Sequence, residues 1–330
     1  MPLSSQQQQL DTDQQQHSGS RKIDPFKLAQ NDLDNLYTDI KEELKNEMPE
    51  LEQISTYYFD GQGKAIRPLI VILIARAINF HMTGNSDLLN SQKRVALIIE
   101  MIHTASLIHD DVIDSADTRR GKPSVNVLWG QKKSIFAGDF VISKGSQMLA
   151  RLNNPIVIST LSEVSFFIYS ISTIEMIRPY PNQAIVDLVL GEFMQMGSKK
   201  EEKERFSHYI QKTFKKTASL IAYTCKAVTY LATADDELQK AAFEYGKNLG
   251  IAFQLVDDML DFVSSQAELG KPAANDLKLG LATAPVLFAC EKFPELNEMI
   301  IRRFSEPGDV EKTYDAVMKV RICKYFLLLK

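Results

Sequence analysis

The chain has 330 residues, 45% of them hydrophobic, and a formal net charge of −4 at pH 7. That apolar share excludes a disordered polymer, and the charge excludes the broad basic field that recruits nucleic acid. Cys225, Cys290 and Cys323 are too few and too scattered for a disulfide framework or a zinc site, which leaves a reducing compartment as the expectation.

Residues 1–23 read as a disordered leader, glutamine-rich at Gln6 to Gln9 and Gln14 to Gln16. The leader has neither a hydrophobic signal core nor the arginine-rich, acid-poor look of a presequence. Asp24-Pro25 signals a helix start, and Phe26, Leu33, Leu36, Ile40 and Leu44 then recur on one amphipathic face. Helical periodicity covers 64–80, 87–114, 131–151, 184–196, 205–232 and 235–263, with shorter helices at 283–292 and 295–304. The strongest apolar run, 68–78, contains Arg76 and falls short of the ~18 residues that span a bilayer, so no transmembrane segment is expected. Glycine and proline collect in loops at 61–63, 117–124, 197–203 and 270–274. No run of alternating β-branched residues stands between turn signals, so the fold class is all-α: one large helical bundle over 24–330.

Two carboxylate clusters carry the chemistry. Asp110, Asp111 and Asp114 end one apolar helix, and Asp257, Asp258 and Asp261 repeat the Asp-Asp-x-x-Asp spacing in another. Residues four apart share a helical face, and like charges at a helix C-terminus repel one another and the helix dipole. A solvated acidic helix end accounts for one such cluster about as well as a metal site does. Two of them inside hydrophobic helices call for cations. Magnesium fits, because it takes one or two carboxylates together with substrate phosphate oxygens. If the two helices face each other, six carboxylates line the mouth of a central cavity and hold several Mg²⁺ around one diphosphate.

Cations interleave with the acids. Lys64 and Arg67 follow the Gly61-Gln62-Gly63 turn at a helix start, where free backbone N–H groups also favour anions. Arg119 and Arg120 trail the first acidic cluster, and Lys271 trails the second. Lys215, Lys216 and Thr217 lie on a further helix, and His103 sits seven residues before Asp110 on the same face. Singly, each reads as an ordinary surface charge or a structural histidine. Together they suit a metal-bound phosphate.

These motifs resemble the trans-prenyltransferases, the polyprenyl or farnesyl-type diphosphate synthases, from about Tyr57 to Asp309. The carriers are Gly61 to Pro68, Asp110 to Arg120, Lys216-Thr217, Phe253 to Asp261, Gly270-Lys271 and Asp276-Leu277. The resemblance implies an isoprenoid-synthase-type helical bundle that condenses isopentenyl diphosphate with an allylic diphosphate. It places Lys64, Arg67, His103 and Arg120 on isopentenyl diphosphate. It gives Mg²⁺ to Asp110, Asp111, Asp114, Asp257, Asp258 and Asp261, with Arg119, Lys216 and Lys271 on the leaving group and Thr217 and Gln254 orienting the allylic end. Ala105 and Ser106 are small where short-chain relatives carry aromatics, which implies a long product, about C40 to C50 by analogy. Within the family the closest likeness is to long-chain members that make the ubiquinone side chain in mitochondria, usually with a related second subunit. A homodimer or such a hetero-oligomer is therefore expected, with a cytoplasmic enzyme as the alternative location.

The chain departs from the family pattern at about 165–183, which reads as an insertion. After Asp309 the likeness fades, and the C-terminus reads as short with an apolar tail. A class I terpene cyclase shares the fold and the first acidic motif, but the second full motif and the Lys64/Arg67 pair argue against it. A catalytically weak partner subunit is the non-enzymatic alternative.

Overall fold

A computed structural model describes residues 23–161, 202–263 and 274–320. The leader up to residue 22, the helix expected at 184–196, the insertion at 165–183 and the tail from 321 lie outside the described residues, as does Lys271.

Helices dominate. The Asp24 side chain accepts a 3.0 Å hydrogen bond from the Phe26 N–H and caps α1, Pro25–Leu33, with Pro25 at the first position. The amphipathic stretch then breaks at Asp34-Asn35 and resumes as α2, Leu36–Leu44, whose Leu36, Ile40 and Leu44 are buried. There follow α3, Pro49–Thr56; α4, Ile66–Thr83; and α5, Asn90–Ile113. A hairpin of β1, Thr118–Arg119, and β2, Lys122–Pro123, interrupts the helices where a loop was expected. Next come α6, Val125–Trp129; α7, Gln131–Ala150; and α8, Pro155–Leu161. Beyond 201 the chain forms α9, Glu202–Thr213; a π-helical turn, Phe214–Ala218; α10, Ser219–Ala232; and α11, Asp236–Val263. The last elements are α12, Asn275–Lys278; α13, Ala284–Cys290; α14, Leu296–Ile301; and α15, Asp309–Lys319.

The main core joins α1, α2, α4, α5, α7 and α10 through Ile40, Val71, Ile98, Met101, Val141, Leu149 and Val228. Each fully buried aliphatic side chain of this kind contributes about 1.5–3 kcal/mol over its exposed state. A second cluster packs the end of α11 against α12 to α15 through Phe262, Leu277, Val286, Leu296 and Val317. The helix α4 has 18 residues and is long and apolar enough to cross a membrane by length and composition, so it outruns the sequence expectation. Its Leu69, Val71, Ile72 and Ala75 are nevertheless core residues, and its Asn79 pairs with Gln92 of α5 at 2.8 and 3.0 Å. That is the behaviour of a core helix.

The closest helix pair positions the site. A Cβ on Gly250 of α11 would lie 2.5 Å from the Ala218 Cα, and one on Gly246 would lie 2.9 Å from the Ala222 Cα. Only bare backbone admits this approach, and it sets the π-helical turn directly against α11. Such turns insert one residue into the helical ladder and reset the faces that follow.

Candidate active site

A cavity of about 410 Å³ opens between α4, α5, α10 and α11. Its polar lining is Gln62, Lys64, Arg67, Glu100, His103 and Arg120, and its apolar lining includes Ile70, Ile221, Leu249 and Phe253. The chain enters α4 through Ala65, held in the left-handed region at φ 46°, a conformation that costs a non-glycine residue about 1 kcal/mol or more. Arg67 Nη1 donates to His103 Nε2 at 2.7 Å, while Arg67 Nε is buried without a hydrogen-bond partner. Burial lowers Arg67 to about 10, which leaves it a cation at neutral pH. Burial, reinforced by Arg67, Arg120 and Arg119, holds His103 well below the usual histidine range. The imidazole is therefore neutral. A guanidinium only donates, so Nε2 accepts and the ring proton sits on Nδ1, ready to donate. Three cations, a neutral histidine donor and an orphaned buried N–H make an anion receptor.

Glu100 is the counterweight, at 3% exposure. Burial raises its carboxyl, and Arg67 and Arg120 oppose that rise. The Tyr37 hydroxyl lies 3.3 Å from both Glu100 Oε1 and the Gly63 carbonyl, and so ties α2 to the glycine turn. A Cβ on Gly63 would sit 2.7 Å from Arg120 Nη1, so a bare backbone there admits the guanidinium.

The first acidic cluster is not three equivalent carboxylates. Asp111 is fully buried, accepts from the Tyr58 hydroxyl on Oδ2 at 2.6 Å, and accepts from Arg119 Nε and Nη2 on Oδ1 at 2.8 and 2.5 Å. The expectation that it faces a metal alongside its neighbours meets a carboxylate whose two oxygens are already engaged. Asp110 and Asp114, four apart, keep the outward face, with Asp110 half-buried and Asp114 exposed at the helix end. Asp111 instead aims Arg119. Arg120 and Gly121 form the two-residue tip of the hairpin at φ 53° and 76°, the paired left-handed conformation of a tight hairpin turn. His109, one residue before the cluster, faces α7, with Nε2 3.2 Å from the Ile135 carbonyl.

The second cluster repeats the scheme. Asp258 is 3% exposed and accepts from the Tyr209 hydroxyl at 2.6 Å and from Gln254 Nε2 at 2.8 Å. Gln254 Oε1 in turn accepts from Thr217 Oγ1 at 2.9 Å, so the π-helical turn that carries Lys216 and Thr217 is bonded to the acidic helix. Asp261 accepts from the backbone N–H groups of Asn275 and Asp276 at 3.2 and 3.1 Å. Asp257 stands exposed. Burial first, then Asp261, Asp258 and Asp257, push Asp276 up to about 7. Four carboxylates thus crowd one end of α11, with Lys212 opposing the rise of Asp276 and Asp258.

Among the described residues no three donors converge as a ready-made metal cage. That agrees with a hard dication which takes one or two carboxylates and completes its shell with phosphate oxygens and water. The crowding that raises Asp276 is relieved by such a cation, so the donor set fits magnesium.

Sequence reasoning missed Tyr37, Tyr58 and Tyr209 as parts of the site, and it gave no role to Asp276, which it quoted only as part of a motif. The tyrosines carry no spacing signal, because each reaches its carboxylate from another element. The split within each triplet was legible, since only the first and last aspartates share a face. Ala105 is fully buried in the main core, and Ser106 beside it is half-buried.

Residues 48–317 match the family described as Polyprenyl synthetase, so the likeness continues past Asp309 into α15. The chain is similar to the human all trans-polyprenyl-diphosphate synthase, 54% identical over 307 residues that span 93% of this chain and 69% of the relative. It is 39% identical over 310 residues to solanesyl-diphosphate synthase 1, mitochondrial, of Oryza sativa subsp. japonica, covering 90% of this chain and 67% of the relative. Its fold matches the crystal structure of a polyprenyl synthase from Caulobacter crescentus CB15 complexed with calcium and isoprenyl diphosphate. The TM-score is 0.73, with 26% identity and coverage of 92% of this chain and 86% of that one.

Proposed function

Because the chain belongs to the polyprenyl synthetase family and is a prenyltransferase, we propose that it adds isopentenyl diphosphate repeatedly to an allylic starter such as farnesyl or geranylgeranyl diphosphate. The single observation that carries this reading is the cavity walled on one side by Arg67 and His103 and on the other by α11. Asp110 lies two helical turns beyond His103, and Asp257 one turn beyond Phe253, about 10 and 6 Å along their axes. That placement supports reading both acidic clusters as continuing the walls of one cavity.

Lys64, Arg67, Arg120 and the Nδ1–H of His103 hold the diphosphate of isopentenyl diphosphate. Asp110, Asp114 and Asp257 would supply carboxylate oxygens to Mg²⁺, with Asp261 and Asp276 as further candidates. Asp111 and Asp258 are assigned to holding Arg119 and Gln254 rather than to direct ligation. When bound, the metal neutralises the allylic diphosphate as a leaving group. Arg119, Lys216 and Lys271 place further positive charge where the bridging oxygen gains charge as the allylic C–O bond breaks. Thr217 and Gln254, already bonded to each other, orient the allylic end. The double bond of isopentenyl diphosphate attacks the allylic carbon. The proton lost from C2 passes to the departing diphosphate, which Arg119 and Lys216 keep in place, so no side-chain nucleophile is needed.

A long all-trans product for the ubiquinone side chain, such as decaprenyl, is supported by the small Ala105 and Ser106 before the first cluster. A mitochondrial setting follows from the relatives. Exposed Ile113, Val127, Leu128, Ile135 and Phe136 give α5 to α7 an apolar outer face suited to a second copy or a related subunit. The test is product chromatography after incubation with farnesyl diphosphate, isopentenyl diphosphate and Mg²⁺, with and without a related subunit. A ladder ending near C40–C50 is expected by analogy. Cyclic hydrocarbon, or no product in either case, overturns the reading.

A further inference from the structure

The hairpin that carries Arg119 and Arg120 is fastened to the loop that carries Lys64 through one side chain the site does not otherwise use. Lys122 Nζ donates to the Tyr57 carbonyl at 2.7 Å and to Asp60 Oδ2 at 2.6 Å. It also stands 3.9 Å above the centre of the Tyr57 ring. The other Asp60 oxygen, Oδ1, accepts from the Gln62 N–H at 3.0 Å, two residues before Lys64. The Tyr57 hydroxyl returns the contact by donating to the Pro123 carbonyl at 3.0 Å. The ion pair is only 18% and 27% exposed, so solvent screens it less than an ordinary surface pair.

The hairpin register makes this fastening informative. Arg119 and Lys122 are directly opposed in β1 and β2, an arrangement that places like charges face to face. Each is balanced by its own carboxylate: Arg119 by Asp111 in the acidic helix, Lys122 by Asp60 in the glycine-turn segment. The hairpin is thus braced from two sides, and Arg120 at its tip is carried into contact with Gly63.

We propose that Lys122 is a positioning residue that fixes the spacing between Lys64 and Arg120, and hence the grip on isopentenyl diphosphate. The proposal rests on the reading of the cavity as the isopentenyl diphosphate site. Lys122 touches no substrate, and it acts through Asp60 and the backbone of residues 57–62. Lys122→Met keeps the aliphatic stem and removes the ammonium.

Two measurements on the full chain decide the matter. In steady-state kinetics, Lys122→Met raises KM for isopentenyl diphosphate about tenfold while kcat falls less than about twofold. Lys122→Arg restores most of the loss, because a guanidinium also reaches Asp60 and stacks on Tyr57. Asp60→Asn raises KM in the same direction, and the double variant is no worse than Lys122→Met alone, as expected of residues acting in series. In hydrogen exchange on the substrate-free protein, Lys122→Met speeds the amides of 61–64 and of 118–122 together. An unchanged KM, additive effects of the two substitutions, or faster exchange confined to the hairpin overturns the proposal. If the parent protein binds no isopentenyl diphosphate, the cavity reading fails, and hydrogen exchange still decides whether Lys122 couples the two segments.

Discussion

Tyr58 and Tyr209 perform the same task on the two sides of the site. Each comes from an element outside the acidic helix, and each donates at 2.6 Å to the middle aspartate of a triplet. The tyrosine hydroxyls are themselves pushed up, chiefly by burial and then by the adjacent carboxylate, so they stay protonated donors. Tyr58→Phe leaves one buried oxygen of Asp111 unpaired and also removes the acceptor of the Val125 N–H. The expected cost is about 2 kcal/mol, read by denaturant titration. Turnover should fall as Arg119 loses its fixed carboxylate, and an unchanged midpoint would show that Asp111 is held by Arg119 alone. Asp276 makes the opposite case. Burial first, and then Asp261, Asp258 and Asp257, raise its carboxyl against the opposing pull of Lys212, so its charge is costly in the metal-free protein. In protein stripped of divalent cations at pH 8, Asp276→Asn should raise the thermal midpoint by about 2–4 °C. Added Mg²⁺ should then stabilise the variant less than the parent. A lower midpoint for the stripped variant would show that Asp276 serves as a structural cap.

At the scale of elements, α10 and α11 set the geometry of the second cluster. Gly246 against α10 and Gly250 against the π-helical turn leave no room for a side chain, and the Thr217–Gln254–Asp258 chain of hydrogen bonds runs beside them. Gly250→Val should cost about 1–3 kcal/mol by overpacking and should reduce kcat more than it reduces binding of isopentenyl diphosphate. Gly145→Ala in α7 is the contrast. There a Cβ meets Ile102 and Met101 only at 4.0 Å, so the change should be neutral or slightly stabilising by thermal denaturation. The long helices were legible in the sequence because apolar residues recur at helical spacing, and their observed ends fall within a few residues of expectation. The hairpin was not, since two strands of two residues carry no alternation, and Arg120 is an unusual residue for a left-handed turn position. The π-helical turn was not legible either, since residues 214–218 carry no spacing signal for it and it lies where Gly250 of α11 approaches Ala218. The short helices α3, α6 and α8 likewise owe their existence to packing, being too short to show a period.

At the scale of the molecule, one apolar bundle supports a polar rim. The main core and the cluster around α12 to α15 hold the helices, and the charged residues gather where α4, α5 and α11 border the cavity. The two aspartate triplets were legible as a pair because each interrupts a hydrophobic helix at the same spacing. What holds the middle member of each triplet, Tyr58 on Asp111 and Tyr209 on Asp258, became visible only in the structure. The space beside α5 below the first acidic cluster should govern product length. Ala105→Phe, and Ser106→Phe as the half-buried alternative if the first variant folds poorly, should shift the products on chromatography to shorter chains with the same starters. Unaltered length in both folded variants would move the tunnel away from α5.

The sharpest check is crystallographic. The protein would be crystallised with farnesyl thiodiphosphate, which resists ionisation, and with Mn²⁺ in place of Mg²⁺, and the metal positions read from anomalous scattering. Manganese bound on one side by Asp110 and Asp114 and on the other by Asp257, with a single diphosphate between them, is the predicted result. Metal on one cluster only, or two clusters too far apart to touch the same diphosphate, would contradict it.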